Sequence, residues 1–209
     1  QFADAQKNNP GHNRHMDCSS ILHLSTHPGI VNRMIRILGD DLLLWRTNFF
    51  IKEPGGVEIP WHQDSPYWPL EPHIACSAWI AIDPSTKENG CVQVIPGSHL
   101  KMIPHITAPS GMYLPTMADP DYYDVNEAID LEMQPGEIFI FNNYILHHSF
   151  SNFSNKRRMG LAIRVIPTLV KVLHYDGKDH QLLQVSGKDT LHFNKVAPTD
   201  FIDTILQNT

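Results

Sequence analysis

The chain has 209 residues, of which 42% are hydrophobic, and this length and composition suffice for one domain with one sizeable core. Its formal net charge of -6 gives no basic surface for a nucleic acid, and it has no apolar run of roughly 18 residues that could span a membrane. We therefore expect a single soluble domain over residues 1–209 that binds neither nucleic acid nor membrane. Because the chain opens at Gln1 without an initiator Met, part of the natural N-terminus is expected to be missing.

The three cysteines, Cys18, Cys76 and Cys91, are odd in number and have no CxxC spacing. Neither a disulfide framework nor a zinc knuckle is therefore expected. This usage favours a reducing compartment, and we expect a cytoplasmic location. The sequence leaves the oligomeric state open.

One segment near the N-terminus has a clear helical pattern. Ile30, Met34, Ile37 and Leu38 recur at helical spacing after a Pro-Gly pair, and the pattern stops at Gly39. We predict a scaffold helix there.

From Leu42 onward, short β-rich runs alternate with turns of Pro and Gly. The runs are LLLWRTNFFI, HIACSAWIAID, CVQVIP, EIFIFNNYIL and MGLAIRVIP. Turns such as Glu88-Asn89-Gly90 and Pro135-Gly136 are typical of antiparallel strands, so the pattern predicts a β sandwich or a jelly roll. Residues 101–126 lack periodicity and are predicted to form a long loop.

The stretch PWHQDSPYWP contains two side chains that can bind a metal, His62 and Asp64. On a strand, side chains at i and i+2 share a face, so both can reach one ion while Gln63 faces away. The pair alone is a weak indication, because a solvated strand end has the same composition.

A third ligand is available downstream, where GEIFIFNNYILHHSFSN ends a β run in His147 and His148. Two histidines and one carboxylate form the triad that holds non-haem Fe(II) and leaves positions open for co-substrate and oxygen. A closed zinc site would require four protein ligands. Strand alternation alone does not choose between the two neighbouring histidines.

The blocks HQD, CSAWIAID, ENGCVQVIPGSH, PGEIFIFNNYILHHSFSN and KRRMGLAIRV follow one another at plausible separations. In this order they resemble the phytanoyl-CoA dioxygenase family of Fe(II)- and 2-oxoglutarate-dependent oxygenases, over about residues 46–167. The resemblance implies a mainly β fold, a double-stranded β-helix of the jelly-roll type, here with a flanking N-terminal helix.

The resemblance also implies which residues form the catalytic metal site. His62 and Asp64 match the first two iron ligands of the family. His147 matches the third ligand in preference to His148, because the family places that histidine before x-Ser.

Four further residues are assigned to 2-oxoglutarate by the resemblance. Arg158, eleven residues after the third ligand, matches the arginine that binds the distal carboxylate, and Ser149 is expected to add its hydroxyl. Trp79 either lines the co-substrate pocket or belongs to the core, and Asn48 is a candidate for the end of 2-oxoglutarate nearest the metal. Arg157 is expected to face solvent.

Several other residues are candidates for substrate contact. Lys52 is expected to meet either an anionic substrate or solvent, and Arg164 is placed by alternation where it can reach a substrate. Tyr67 and Trp68 are expected to cover the substrate, and His105 to line the entrance.

The implied enzyme is a dioxygenase that uses Fe(II), 2-oxoglutarate and O2 to hydroxylate an unactivated C–H bond of a small polar or anionic metabolite, releasing succinate and CO2. The carboxylate of Asp64 favours hydroxylation, because halogenating relatives have a small residue there. Two alternatives stay open. A metal-dependent hydrolase predicts no arginine for a co-substrate, and a non-catalytic jelly-roll binding protein would more naturally have lost a ligand.

Overall fold

The structure is a computed structural model that describes residues 10–176 and 180–207. Its α-helices are α1 (Ser19–Ser25), α2 (Pro28–Leu38) and α3 (Phe201–Gln207). Helix α2 confirms the predicted helix: it begins where the ring of His27 accepts a hydrogen bond from the backbone N–H of Gly29, and it ends at Gly39. Helices α1 and α3 have seven residues each, too few to show a repeated apolar pattern in the sequence.

The strands of the described residues begin at Leu42, as predicted. They are β1 (Leu42–Lys52), β2 (Ile59–His62), β3 (Leu70–Glu71), β4 (Cys76–Ala81), β5 (Val92–Val94), β6 (His105–Thr107), β7 (Thr116–Ala118), β8 (Ile129–Leu131), β9 (Ile138–Asn142), β10 (His147–Ser149), β11 (Arg158–Pro167), β12 (Lys171–Val172) and β13 (Leu183–Ser186). The five predicted runs contain β4, β5 and β9, and all but one residue each of β1 and β11. Among the described residues, no helix has the length and apolar composition needed to cross a membrane.

The strands form two main sheets and two small ones. The larger sheet has the order β13-β1-β11-β4-β9, and a four-stranded sheet has the order β2-β10-β5-β8. Strand β3 pairs with β12, and β6 pairs with β7. The pairs within the four-stranded and the two small sheets are antiparallel, as the turns predict.

The chain divides into two compact units. The first unit comprises Gln1–Phe49, Pro69–Ala78 and Ala162–Thr209, and the second comprises Phe50–Trp68 and Trp79–Leu161. In the first unit, the fully buried Leu42, Leu43 and Leu44 begin β1 and pair with β13. The second unit contains the four-stranded sheet. A single domain over the whole chain stays a prediction.

An apolar cluster in the second unit packs directly beside the predicted metal ligands. It consists of Trp61, Ile95, Ile103, Ala118 and Leu146. Trp61 and Leu146 precede the two ligand histidines by one position each, so alternation directs them away from the ligand face. This packing fixes the strands on which the ligands lie.

Residues 101–126 are not the featureless loop that the sequence predicts. Strands β6 and β7 pair in register from His105 opposite Ala118 to Thr107 opposite Thr116. Each strand has only three residues, and prolines interrupt the segment, so no alternation long enough to recognise appears in the sequence.

Candidate metal and co-substrate site

Three predicted ligands of the second unit come together at the ends of two paired strands. His62 ends β2, His147 begins β10, and these two residues are Cα partners in the antiparallel pair. Asp64 follows β2 in the turn. One possible ligand atom from each of the three residues lies within 4.8 Å of the others. The His62 Nε2 and Asp64 Oδ1 atoms are 3.9 Å apart.

Backbone carbonyls orient both histidine rings for metal binding. The Nδ1–H of His62 donates to the carbonyl oxygen of Pro60 at 2.8 Å, and that of His147 donates to Ile145 at 3.0 Å. Each bond assigns the ring proton to Nδ1 and leaves the Nε2 lone pair for an ion. Burial, and then the neighbouring His147, lowers the pKa of His62 well below its usual value, so this ring is neutral near pH 7. Two imidazole nitrogens and a carboxylate are the donor set that Fe(II) accepts.

His148 lies on the opposite face of β10, with both ring nitrogens engaged. Its Nδ1 is 2.9 Å from Oε1 of Gln93, and its Nε2 is 2.8 Å from Oε1 of Glu58. Its ring stacks on Trp61 with centroids 4.9 Å apart. The geometry thus includes His147, and not His148, in the ligand cluster.

Arg158 is a buried cation at the start of β11, with only 2% of its surface exposed. No carboxylate among the described residues pairs with it, and its Nε has no hydrogen-bond partner there. Its Cζ lies 5.6 Å from the centroid of the Trp79 ring. Burial lowers its pKa to about 10, which leaves it charged at neutral pH. A buried guanidinium with unused donors is suited to bind an anion.

Arg157, unlike the neighbouring Arg158, is paired with a carboxylate at the surface. It is largely exposed and forms two hydrogen bonds with Asp83, from its Nε at 2.8 Å and from its Nη2 at 3.0 Å. Its charge is therefore already paired at the surface, as the sequence predicts for a side chain that faces solvent.

Ser149 is joined to a second buried cation, Lys52 at the end of β1. The Lys52 ammonium donates to the Ser149 hydroxyl at 2.8 Å, to its carbonyl at 3.1 Å, and to the carbonyl of Phe150. Burial, and then the charge of Arg158, lowers the pKa of Lys52 to about 7. The solvent-facing alternative for Lys52 is wrong, because only 4% of its surface is exposed.

A close approach of the backbone keeps Lys52 in place. A Cβ added to Gly90 would lie 2.3 Å from the carbonyl oxygen of Phe150 and 3.2 Å from Cδ of Lys52. Gly90 also has a φ of +76°, which other residues rarely adopt. Only glycine therefore fits at this position of the predicted Glu-Asn-Gly turn.

Trp79, Asn48 and Arg164 are all buried, in different surroundings. Trp79 contacts Arg158 and also packs on Phe139, with centroids 5.7 Å apart, so it lines the arginine and belongs to the apolar interior. Asn48 lies in the first unit, and its Oδ1 has no hydrogen-bond partner among the described residues. Arg164 lies in the first unit as well. The contact of Asn48 with 2-oxoglutarate stays a prediction. The contact of Arg164 with a substrate stays one as well.

Aromatic side chains lie beside the ligand His62. The ring of Tyr67 meets that of His62 edge-on at 6.0 Å and that of His105 at 5.7 Å. The Tyr67 hydroxyl is 2.7 Å from Oγ1 of Thr116 on β7. Trp68 is buried. Cover of a substrate by Tyr67 and Trp68 stays a prediction.

Comparison with known proteins gives concordant results. A family model described as phytanoyl-CoA dioxygenase (PhyH) matches residues 1–160. "Phytanoyl-CoA dioxygenase 1" of Oryza sativa subsp. japonica is 34% identical over 134 residues, which cover 59% of this chain and 44% of the relative. "Methylphosphonate hydroxylase" of Gimesia maris is 32% identical over 170 residues, which cover 78% of this chain and 62% of the relative. The chain thus spans less than two thirds of either relative.

A solved structure described as "CytC3 with Fe(II) and alpha-ketoglutarate" has the same fold. It matches with a TM-score of 0.69 and 28% identity, covering 91% of this chain and 74% of that one. This likeness confirms the predicted mainly β jelly roll.

Proposed function

The chain belongs to the phytanoyl-CoA dioxygenase family, and we propose from this premise that it is an Fe(II)- and 2-oxoglutarate-dependent dioxygenase. Its proposed reaction is hydroxylation of an unactivated C–H bond in a small polar or anionic metabolite, with release of succinate and CO2. One observation carries the proposal: the second unit contains both a cluster of two histidines with a carboxylate and a buried arginine that no carboxylate of the described residues neutralises.

His62, Asp64 and His147 are the proposed iron ligands. In both histidines Nδ1 donates to a backbone carbonyl, which leaves Nε2 as the ligand atom, and the carboxylate offsets part of the charge of the ion. Three protein ligands leave coordination positions open for co-substrate and oxygen. The bound iron, with 2-oxoglutarate and O2, would supply the oxidising chemistry that side chains lack.

Arg158 and Ser149 are the proposed partners of the distal carboxylate of 2-oxoglutarate. The planar guanidinium can bind a carboxylate through two parallel hydrogen bonds. Lys52 holds the Ser149 hydroxyl and adds a second positive charge, which favours a dianionic co-substrate. A metal-dependent hydrolase has no use for this buried pair of cations, so their presence favours the dioxygenase.

The substrate class is the least constrained part of the proposal. The Gimesia maris relative is named a methylphosphonate hydroxylase, which supports a small anionic substrate. Tyr67, partly exposed beside His62, supplies a phenol ring that can contact such a molecule, and the partly exposed ring of His105 lies beside Tyr67.

Substrate-stimulated formation of succinate tests the proposed function. The Fe(II)-loaded protein is incubated with 2-oxoglutarate, O2 and a panel of small phosphonates, carboxylates and amino-acid derivatives. We expect at least one anionic compound to raise succinate formation and to gain one oxygen atom. The matched control is His147→Ala, which should form no succinate. Hydrolysis of a panel compound without consumption of 2-oxoglutarate would exclude the dioxygenase.

A further inference from the structure

Gln63, between the two proposed ligands His62 and Asp64, is fully buried. Its side chain forms hydrogen bonds with two other segments of the second unit. Nε2 donates to the carbonyl oxygens of Lys101 at 2.9 Å and Tyr144 at 2.6 Å, and Oε1 accepts from the backbone N–H of Ile103 at 2.8 Å. Both donors of the amide and its acceptor are therefore used.

The main chain of Gln63 makes a further connection to the same segment. Its backbone N–H donates to Nε2 of His105 at 3.2 Å, and the Nδ1–H of His105 donates to the carbonyl oxygen of Ile103 at 2.9 Å. Both nitrogens of His105 are thus satisfied in the neutral ring. The peptide that joins the two proposed ligands is therefore attached to the first residue of β6.

Besides the bonds of Gln63 and His105, the β6–β7 hairpin is attached through the backbone N–H of Tyr113, which donates to the carbonyl oxygen of Glu58 at 2.9 Å. Within the β6–β7 hairpin, residues 103–118, only Ile103 and Ala118 are buried, and they lie at its two ends. They pack against Trp61 and Leu146, the neighbours of the ligand histidines. A hairpin with so little buried surface has low stability of its own, so its order depends on these attachments.

We propose that Gln63 is a positioning residue that couples the order of the β6–β7 hairpin to binding of one metal ion by His62, Asp64 and His147. A bound ion fixes the turn that contains Gln63, and the hydrogen bonds of Gln63 then order residues 101–105. The hairpin, which contributes His105 and Thr116 beside Tyr67, is therefore more stably ordered as a wall of the site when the metal is bound.

The coupling is reciprocal by thermodynamic linkage. If the ion stabilises the ordered hairpin, the ordered hairpin raises the affinity for the ion by the same factor. Changes at His105, which is not one of the proposed ligands, should therefore alter metal affinity. The inference rests on the proposed function only in requiring that the His62, Asp64 and His147 cluster binds a divalent metal.

Hydrogen exchange measured by mass spectrometry tests the coupling, with Ni(II) as a redox-stable probe. In the wild-type protein, Ni(II) should slow exchange in peptides covering residues 101–118 as well as in the ligand turn. Gln63→Met keeps the length of the side chain and removes its hydrogen bonds. We expect it to bind Ni(II) about 10- to 100-fold more weakly, and, at saturating Ni(II), to lose the metal response of the hairpin while keeping that of the turn.

The controls separate positioning from a general loss of stability. Tyr67→Phe removes only the hydroxyl contact with Thr116 and should keep the metal response at residues 101–105. His105→Leu removes the acceptor for the Gln63 N–H at a partly exposed position. His105→Leu should weaken Ni(II) binding. If Gln63→Met does not fold, this variant tests the coupling in its place, and unchanged Ni(II) affinity would contradict the coupling.

Two failures are distinguishable. If calorimetry detects no binding of Ni(II) to the wild-type protein, the proposed metal site and the coupling are both wrong. If Ni(II) binds and the hairpin shows no change in exchange, or if Gln63→Met responds as the wild type does, only the coupling is overturned.

Discussion

The ammonium group of Lys52 donates a 2.8 Å hydrogen bond to the hydroxyl of Ser149, two residues beyond the proposed ligand His147. The two residues are 97 positions apart in the chain. Burial, and then the charge of Arg158, lowers the pKa of Lys52 to about 7. The site therefore carries excess positive charge until an anion binds.

Affinity for 2-oxoglutarate should decrease as the pH rises above about 7. The dianion favours the charged amine, so the pKa of Lys52 is higher in the complex than in the free protein, and binding takes up a proton above pH 7. Calorimetry with Ni(II)-loaded protein over a range of pH measures this dependence. Lys52→Met should bind 2-oxoglutarate more weakly, and its affinity should not depend on pH in this range. If the affinity of both proteins changed equally with pH, Lys52 would not contribute to co-substrate binding.

Arg158→Ala should weaken 2-oxoglutarate binding while metal affinity stays unchanged. The expected loss is on the order of 2 to 5 kcal/mol, because a buried carboxylate would lose its charged partner. Titration of the metal and of the co-substrate separately measures both quantities. Arg157→Ala is the matched control, since that arginine pairs with Asp83 at the surface and should have no effect. Unchanged co-substrate affinity in Arg158→Ala would contradict the assignment.

Gly160→Ala should destabilise the fold and disturb the arginine site. A Cβ at this position would lie 1.9 Å from Cζ2 of Trp79, whose ring contacts Arg158. Overpacking of this kind costs about 1 to 3 kcal/mol, which denaturant unfolding can measure. Replacing Trp79 by Leu removes the clashing ring, so the double variant should lose less than the two single changes together. If the losses of stability in the two single variants added exactly in the double variant, the Trp79 ring would not be the group that excludes a Cβ at Gly160.

Local patterns in the sequence predict the strands and the ligands for a physical reason. The apolar runs mark the buried strands, so that inference does not need the tertiary fold. Alternation predicts that His62 and Asp64 share a face, but β2 ends at His62, and Asp64 approaches it through the following turn. Alternation also predicts that His147 and His148 face opposite ways. It does not say which of them joins the ligands, and that choice came from the resemblance.

The interactions that support the site were not predictable from such patterns. Gln63 contacts the segments of Lys101 and Tyr144, which are 38 and 81 residues away, and no local signal specifies those partners. The same holds for Lys52 and Ser149. Sequence periodicity predicts that a side chain is turned inward, whereas its hydrogen-bond partners depend on how distant strands and loops meet.

The pair His147→Ala and His148→Ala tests the central claim most directly, in an anaerobic titration with Fe(II) and 2-oxoglutarate. Wild-type protein should develop the visible charge-transfer band of Fe(II) with chelated 2-oxoglutarate. His147→Ala should not, because it lacks a ligand of the ion. His148→Ala should keep the band, since its ring contacts Glu58 and Gln93 on the other face, with at most about a 10- to 100-fold loss of metal affinity from weaker support. A band that persists in His147→Ala and disappears in His148→Ala would contradict the assigned ligands.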